Sequence, residues 1–136
     1  MMRLARTFRR DKRGASAIEF ALVVPFLVII IVGVAQMGRV YLANAGLRNL
    51  VADSARFASI SPRPNDDAIK ARLRTGGFGL EAASLSEPVV TYGADNGANW
   101  AQINMTYTVQ LDFVFWRPAP IRLVEQRKVY IYPPAA

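Results

Sequence analysis

The chain has 136 residues, 52% of them hydrophobic, with 17 Lys and Arg against 10 Asp and Glu for a net charge of +7. Cysteine and histidine are both absent, which removes disulfides, thiolate chemistry, cysteine metal sites and the commonest general base and metal ligand. A chain this short with one long apolar run holds at most one soluble domain of about 100 residues, enough for a modest core and too small for a large enzyme.

The basic charge is concentrated at the N-terminus. Arg3, Arg6, Arg9, Arg10, Lys12 and Arg13 stand against the single acid Asp11, so +5 of the +7 falls in residues 1–14. A basic arm can bind nucleic acid, but this one abuts an apolar segment, and there it reads as a topology signal. Arg9, Arg10, Lys12 and Arg13 keep their side of the membrane cytoplasmic, and residues from Arg39 onward fall outside. No nucleic-acid partner is expected.

Nineteen residues from Phe20 to Gly38 carry no charge, and Gln36 is the only amide among them. With Ala15 to Ile18 added, the run can cross about 30 Å of hydrocarbon as a helix. A core helix this uniformly apolar needs a larger protein around it. A secretory signal peptide competes through the cleavage box Gly33-Val34-Ala35, but its apolar region spans only about 7–15 residues. The helical pattern here runs straight through Ala35.

Glu19 lies one turn inside this segment. A carboxylate in hydrocarbon is costly unless it is paired or reaches the headgroups. Glu19 either rests near the headgroups, uncharged or inert, or meets a cation. A cut between Gly14 and Ala15 would create an α-amine one helical turn from Glu19, in the same chain or in a neighbour packed out of register. An unpaired partner is penalised in lipid, so such a pair selects one stagger between subunits.

A basic leader, Gly14, a glutamate five residues on and an apolar helix together resemble the type IV prepilin cleavage signal. The stretches "GASAIEFALVVPFL", "GVAQMGRVYLANAGLRN" and "ADSAR" resemble more specifically the TadE-like family, minor pilins or pseudopilins of the tight-adherence pilus. Glu19-Phe20-Ala21-Leu22, Pro25, Gly33, Gly38-Arg39 and Ala55-Arg56 carry most of the likeness. The resemblance implies cleavage between Gly14 and Ala15 by a prepilin peptidase at the bacterial inner membrane, with the N-terminus cytoplasmic and the C-terminal domain periplasmic. It implies as partners the peptidase, other minor and major pilins, the pilus assembly platform and inner-membrane lipid. It implies assembly roles for Glu19 and Pro25, and a minor rather than a shaft subunit. Many type IV pilins begin the mature chain with an N-methylated phenylalanine; the corresponding residue here is Ala15. Pro25 removes one helical hydrogen bond. Membrane helices tolerate this, and the same position can serve as a bend during assembly. Gly33 and Gly38 can let helices approach closely.

The helix is expected to continue to about Ser59. Val40, Ala43, Leu47, Leu50, Val51, Ser54, Ala55 and Ala58 recur at spacings of three and four and define an apolar face. Pro62 and Pro64 stop it. A short helix follows, capped by Asn65 or Asp66, with Ile69 and Leu73 on one face and Gly76-Gly77 at its end. "TGGFGL" lacks the ending of a phosphate loop and reads as a hinge or linker. The last third reads as β. Val89–Tyr92 is a short strand, Asn96-Gly97 a hairpin turn, Ile103 to Phe115 a long alternating strand, and Ile121–Tyr132 a charged edge strand. Asp95, Gly97 and Asn99 do not fit a calcium loop. Trp100, Trp116, Tyr130 and Tyr132 suggest core or hairpin-edge packing, or else a partner surface.

The expected fold is α+β, a long transmembrane-to-periplasmic helix packed on a small antiparallel sheet with a short extra helix, pilin-like in outline. The expected divisions are a leader at 1–14, the span at 15–38, its extra-membrane continuation at 39–61 and an outer domain at 62–136. No cofactor and no metal are called for, and no catalytic residues are assigned. A signal-anchored or secreted periplasmic binding module without a filament role is the alternative function.

Overall fold

The computed structural model describes residues 12–60, 62–113 and 115–131, and the side chains of Lys12 and Arg13 are not among the described atoms. Helix α1 runs from Lys12 to Ala58 without a break through Pro25. At 1.5 Å per residue its 47 residues extend about 70 Å. Its end is closed locally. The Ser59 N–H donates to the carbonyls of Ala55 and Arg56, and Ser59 Oγ donates to the Arg56 carbonyl at 2.7 Å.

Helix α2 spans Asp66–Arg74. Asn65 caps it, its side-chain oxygen accepting from the Ala68 N–H at 2.8 Å. Asp66 and Asp67 lie in the first turn and Arg72 and Arg74 in the last, each at the helix end whose partial charge suits it. Arg72 also ties α2 back to α1 through Asp53 at 2.7 Å.

Three antiparallel strands follow: β1 (Val89–Asp95), β2 (Ala98–Val109) and β3 (Ile121–Tyr130), in the order β1-β2-β3. Asn96 and Gly97 alone connect β1 to β2, with Asp95 opposite Ala98. Both have positive φ, 50° and 81°, which the right-handed strand twist demands of a two-residue turn and Asn-Gly supplies at little cost. Strand β3 is an edge, as its charge pattern predicts.

The core forms where one face of the sheet meets α1 and α2. Ala101, Ile103, Met105, Tyr107 and Val109 alternate inward along β2. Of these, Ile103, Met105, Tyr107 and Val109 meet Ala43, Leu47, Leu50, Val51, Ala55 and Ala58 of α1 and Ile69 and Leu73 of α2 in one cluster. The helical face read from spacing is therefore the buried one. The loop around "TGGFGL", expected as a hinge or linker, is held close to α1. Gly77 lies over Gly46 and Gly79 over Leu42, so this segment is packed against α1.

The long strand expected from Ile103 to Phe115 ends at Val109. Val109 is opposite Ile121, the first residue of β3, so no partner strand extends further. Pro118 and Pro120 lack the N–H needed to extend it. Beyond Val109 the chain turns on itself: the Phe113 N–H donates to the Trp116 carbonyl at 3.0 Å, and the Trp116 N–H to the Phe113 carbonyl at 3.2 Å. The apolar alternation continues past the strand because Leu111 still belongs to the core cluster and Phe113 packs against it, whereas Phe115 is exposed.

Candidate assembly helix and its membrane border

The two halves of α1 have different surroundings. In the N-terminal half Ile18, Phe20, Leu22, Phe26, Ile30 and Ile31 are all more than half exposed. A helix apolar on all sides belongs in lipid or inside a large protein. This segment is long and apolar enough to cross a membrane, and none of its most apolar window is covered by the rest of the chain. It has the character of a membrane anchor.

Gly14, Ala15 and Glu19 lie together in the first described turns of α1, all exposed. Ala15 and Glu19 are four residues apart and so share one helix face. Among the described residues Glu19 has no ion-pair partner. Pro25 is exposed, within two turns of Glu19. A Cβ placed on Gly14, Gly33 or Gly38 would meet nothing within 4 Å, so these small residues leave open surface. Arg9 and Arg10 lie outside the described residues. Lys12 and Arg13 are placed as backbone of α1's first turn.

Gln36 marks the border between the halves. It is 8% exposed, the first buried side chain among the described side chains of α1, and its Nε2 donates to the Asp112 carbonyl. Arg39 Nη1 donates to Gln36 Oε1 at 3.3 Å, and Arg117 Nη2 pairs with Asp112 Oδ2 at 2.8 Å. The Arg117 hydrogen bond holds the Asp112 carboxyl below its usual range, and the Arg39 charge adds to this. These four side chains form a polar collar where the apolar run ends.

Below the collar, toward the N-terminus of α1, the 113–116 turn reaches down the helix. The rings of Phe113 and Trp116 stack at 4.7 Å. Phe113, Phe115 and Trp116 line an apolar cleft of about 240 Å³ with Ile29 and Val32 of α1. In the sequence Arg39 stands out through the family likeness and Trp116 as an aromatic for packing or a partner surface, whereas Gln36, Asp112, Phe113, Phe115 and Arg117 carry no functional expectation. Gln36 as the lone amide in an apolar run, and "DFVFWR" as an aromatic cluster closed by an arginine, are the signals that point to them.

The remaining aromatics divide. Trp100 packs over Gly93 so closely that a Cβ there would lie 2.3 Å from its ring, which is hairpin packing. Lys128 Nζ sits 4.6 Å from the Trp100 ring centroid and 5.7 Å from that of Tyr130. Trp116 and Tyr130, however, are 62% and 60% exposed, so core packing does not hold for either. Tyr132 lies outside the described residues. Asp95 pairs with Lys128 at 3.6 Å, and among the described residues no cluster of acids is arranged to hold a metal.

Neither the curated proteins nor the solved structures yielded a match to this chain. A family model described as TadE-like protein matches residues 14–56. That family points to a pilin-like protein associated with the tight-adherence pilus and, in general terms, with other pilus components. The matched residues are the span, its glycines, the collar residues Gln36 and Arg39, and most of the helix face that carries the outer domain, and this segment of the chain is TadE-like.

Proposed function

We propose that the protein is a membrane-anchored, non-catalytic minor subunit of a tight-adherence pilus, processed between Gly14 and Ala15 by a prepilin peptidase. The observation that carries this reading is the TadE-like match over residues 14–56 on a helix whose apolar half is left uncovered by its own chain. Such a helix needs lipid before assembly and neighbouring helices after it. The N-terminus is cytoplasmic and the outer domain periplasmic, following the basic flank. The α-amine released at Ala15 meets Glu19, in the same subunit or the next, and the cost of leaving either charge alone in an apolar bundle selects the stagger. Pro25 supplies a weak point where the helix can bend as subunits pack.

The test is N-terminal sequencing of the protein purified from its native membrane, together with Glu19→Ala assayed for pilus assembly. A start at Ala15, with assembly lost in a variant that still inserts into the membrane, supports the reading. A start at Gln36 makes the protein a secreted domain. An intact Met1 with normal pili makes it a signal-anchored periplasmic module.

A further inference from the structure

The 113–116 turn is placed where a soluble domain has no reason to expose aromatic rings. Phe115 is 81% exposed and Trp116 62%. Both border a cleft whose other wall is Ile29 and Val32, in the middle of the uncharged run. Ile29 is seven residues before Gln36, so the tip descends about 10 Å along the helix axis below the polar collar. Whatever surrounds α1 at that depth also surrounds the tip. In a bilayer that medium is acyl chain. An exposed apolar patch continuous with a bare apolar helix is one surface rather than a scatter of single residues.

Three features suit that medium. The tip's reciprocal hydrogen bonds between Phe113 and Trp116 satisfy two N–H groups internally, as backbone in hydrocarbon requires. Tryptophan favours the boundary between headgroups and chains. Arg117 follows directly and is 72% exposed at its side chain, and Arg39 is at the same collar. Guanidinium groups there can meet lipid phosphates.

We propose that the 113–116 turn is a second, monotopic membrane contact, with Phe115 and Trp116 entering the leaflet on the outer domain's side and Arg117 and Arg39 at the phosphates above. The contact rests on α1 spanning a bilayer. It fixes the outer domain against the membrane surface, so the exit of α1 cannot swing freely, and it sets the rotation of the helix about its axis.

The chain has no cysteine, so single spin labels are unambiguous. Phe115→Cys, Ile30→Cys and Val124→Cys each replace a side chain at least 60% exposed, and the labelled full chain is reconstituted in phosphatidylcholine vesicles containing an anionic phospholipid. Collisions with oxygen report lipid and collisions with a neutral nickel chelate report water. The expected result is a severalfold excess of oxygen over nickel accessibility at 30 and 115 and the reverse at 124. Oxygen accessibility at 30 with nickel accessibility at 115 overturns the turn's insertion and leaves the anchor standing. Protection of 115 from both reagents means that protein covers it, a second copy included, and also overturns it. Nickel accessibility at both 30 and 115 refutes the anchor and the inserted turn together.

Discussion

A Cβ added at Gly46 would lie 2.3 Å from the Phe78 carbonyl oxygen, a backbone atom that cannot rotate away. Replacing glycine by alanine inside a helix ordinarily gains about 1 kcal/mol, but here the 76–80 loop must shift. Gly46→Ala is expected to destabilise by about 1–3 kcal/mol, read as a lower Tm in detergent micelles, whereas Gly38→Ala, with open space around it, leaves Tm unchanged or raises it. Ser54 presents the opposite case. It is fully buried and its Oγ has no hydrogen-bond partner among the described residues. Ser54→Ala removes an unsatisfied polar atom and improves helix propensity, so a gain of about 1 kcal/mol is expected in urea titration; a loss would mean the hydroxyl has a partner. Tyr92 carries a pH dependence. Burial raises its pKa above 10.0, and so does its hydrogen bond to Asp66 at 2.5 Å, against a lowering by Arg63. The folded state thus favours the neutral phenol. That contribution is fully present below pH 10 and lost as pH rises through the higher folded value. Tyr92→Phe should flatten the alkaline fall in stability, measured as Tm against pH from 8 to 11, and an unchanged slope would remove Tyr92 as its cause.

At the scale of elements, a buried amide supplies a polar link between α1 and the loop after β2. Gln36→Leu keeps the size and the apolar character of the run, but leaves the Asp112 carbonyl without its donor. The expected cost is about 1–3 kcal/mol. It should appear as faster amide exchange at Phe113 and Trp116 and not at the β2–β3 ladder. Uniform acceleration across the sheet would mean that Gln36 supports the whole domain. The same loop shows what periodicity can and cannot reveal. The α1 face from Val40 to Ala58 was legible because a helix packed on one sheet repeats its burial every three or four residues, and seven of its eight members are buried. A cap at Asn65 or Asp66, of which the structure uses Asn65, and the Asn-Gly turn were legible because each follows from local chemistry. The end of β2 was not. Leu111, Phe113 and Phe115 keep a period of two, yet where the strand stops depends on where its partner begins, and that is set by a residue far along the chain. The collar was illegible for the same reason, since Gln36 and Asp112 are 76 residues apart.

The whole molecule is built for two solvents. Among the described residues most of its apolar half is exposed, with a cleft against the Phe113–Trp116 turn at Ile29 and Val32, while the outer half of α1 is held by the sheet, α2 and the collar. The hydrophobic run and the resemblance over about a third of the chain made the change of surroundings along α1 readable from the sequence. The proposed seating of the outer domain on the membrane has no such signal, because it rests on the three-dimensional depth of one turn. The division has a consequence for unfolding. Residues 15–35 form their hydrogen bonds within one helix, and leaving them unmade in lipid costs several kcal/mol each, so denaturant in the water phase has little hold on them. The sheet and the 40–58 segment depend on burial from water and fall with it. In bilayer nanodiscs, urea should therefore abolish the near-UV signal of Trp100 and Trp116 in one cooperative transition while a large part of the helical far-UV signal persists. Amide exchange should stay slow from Phe20 to Val34 through that transition and become fast from Val40 to Ala58. Simultaneous loss of both signals would mean that the two halves of α1 are one cooperative unit, and that the span depends on the outer domain for its order.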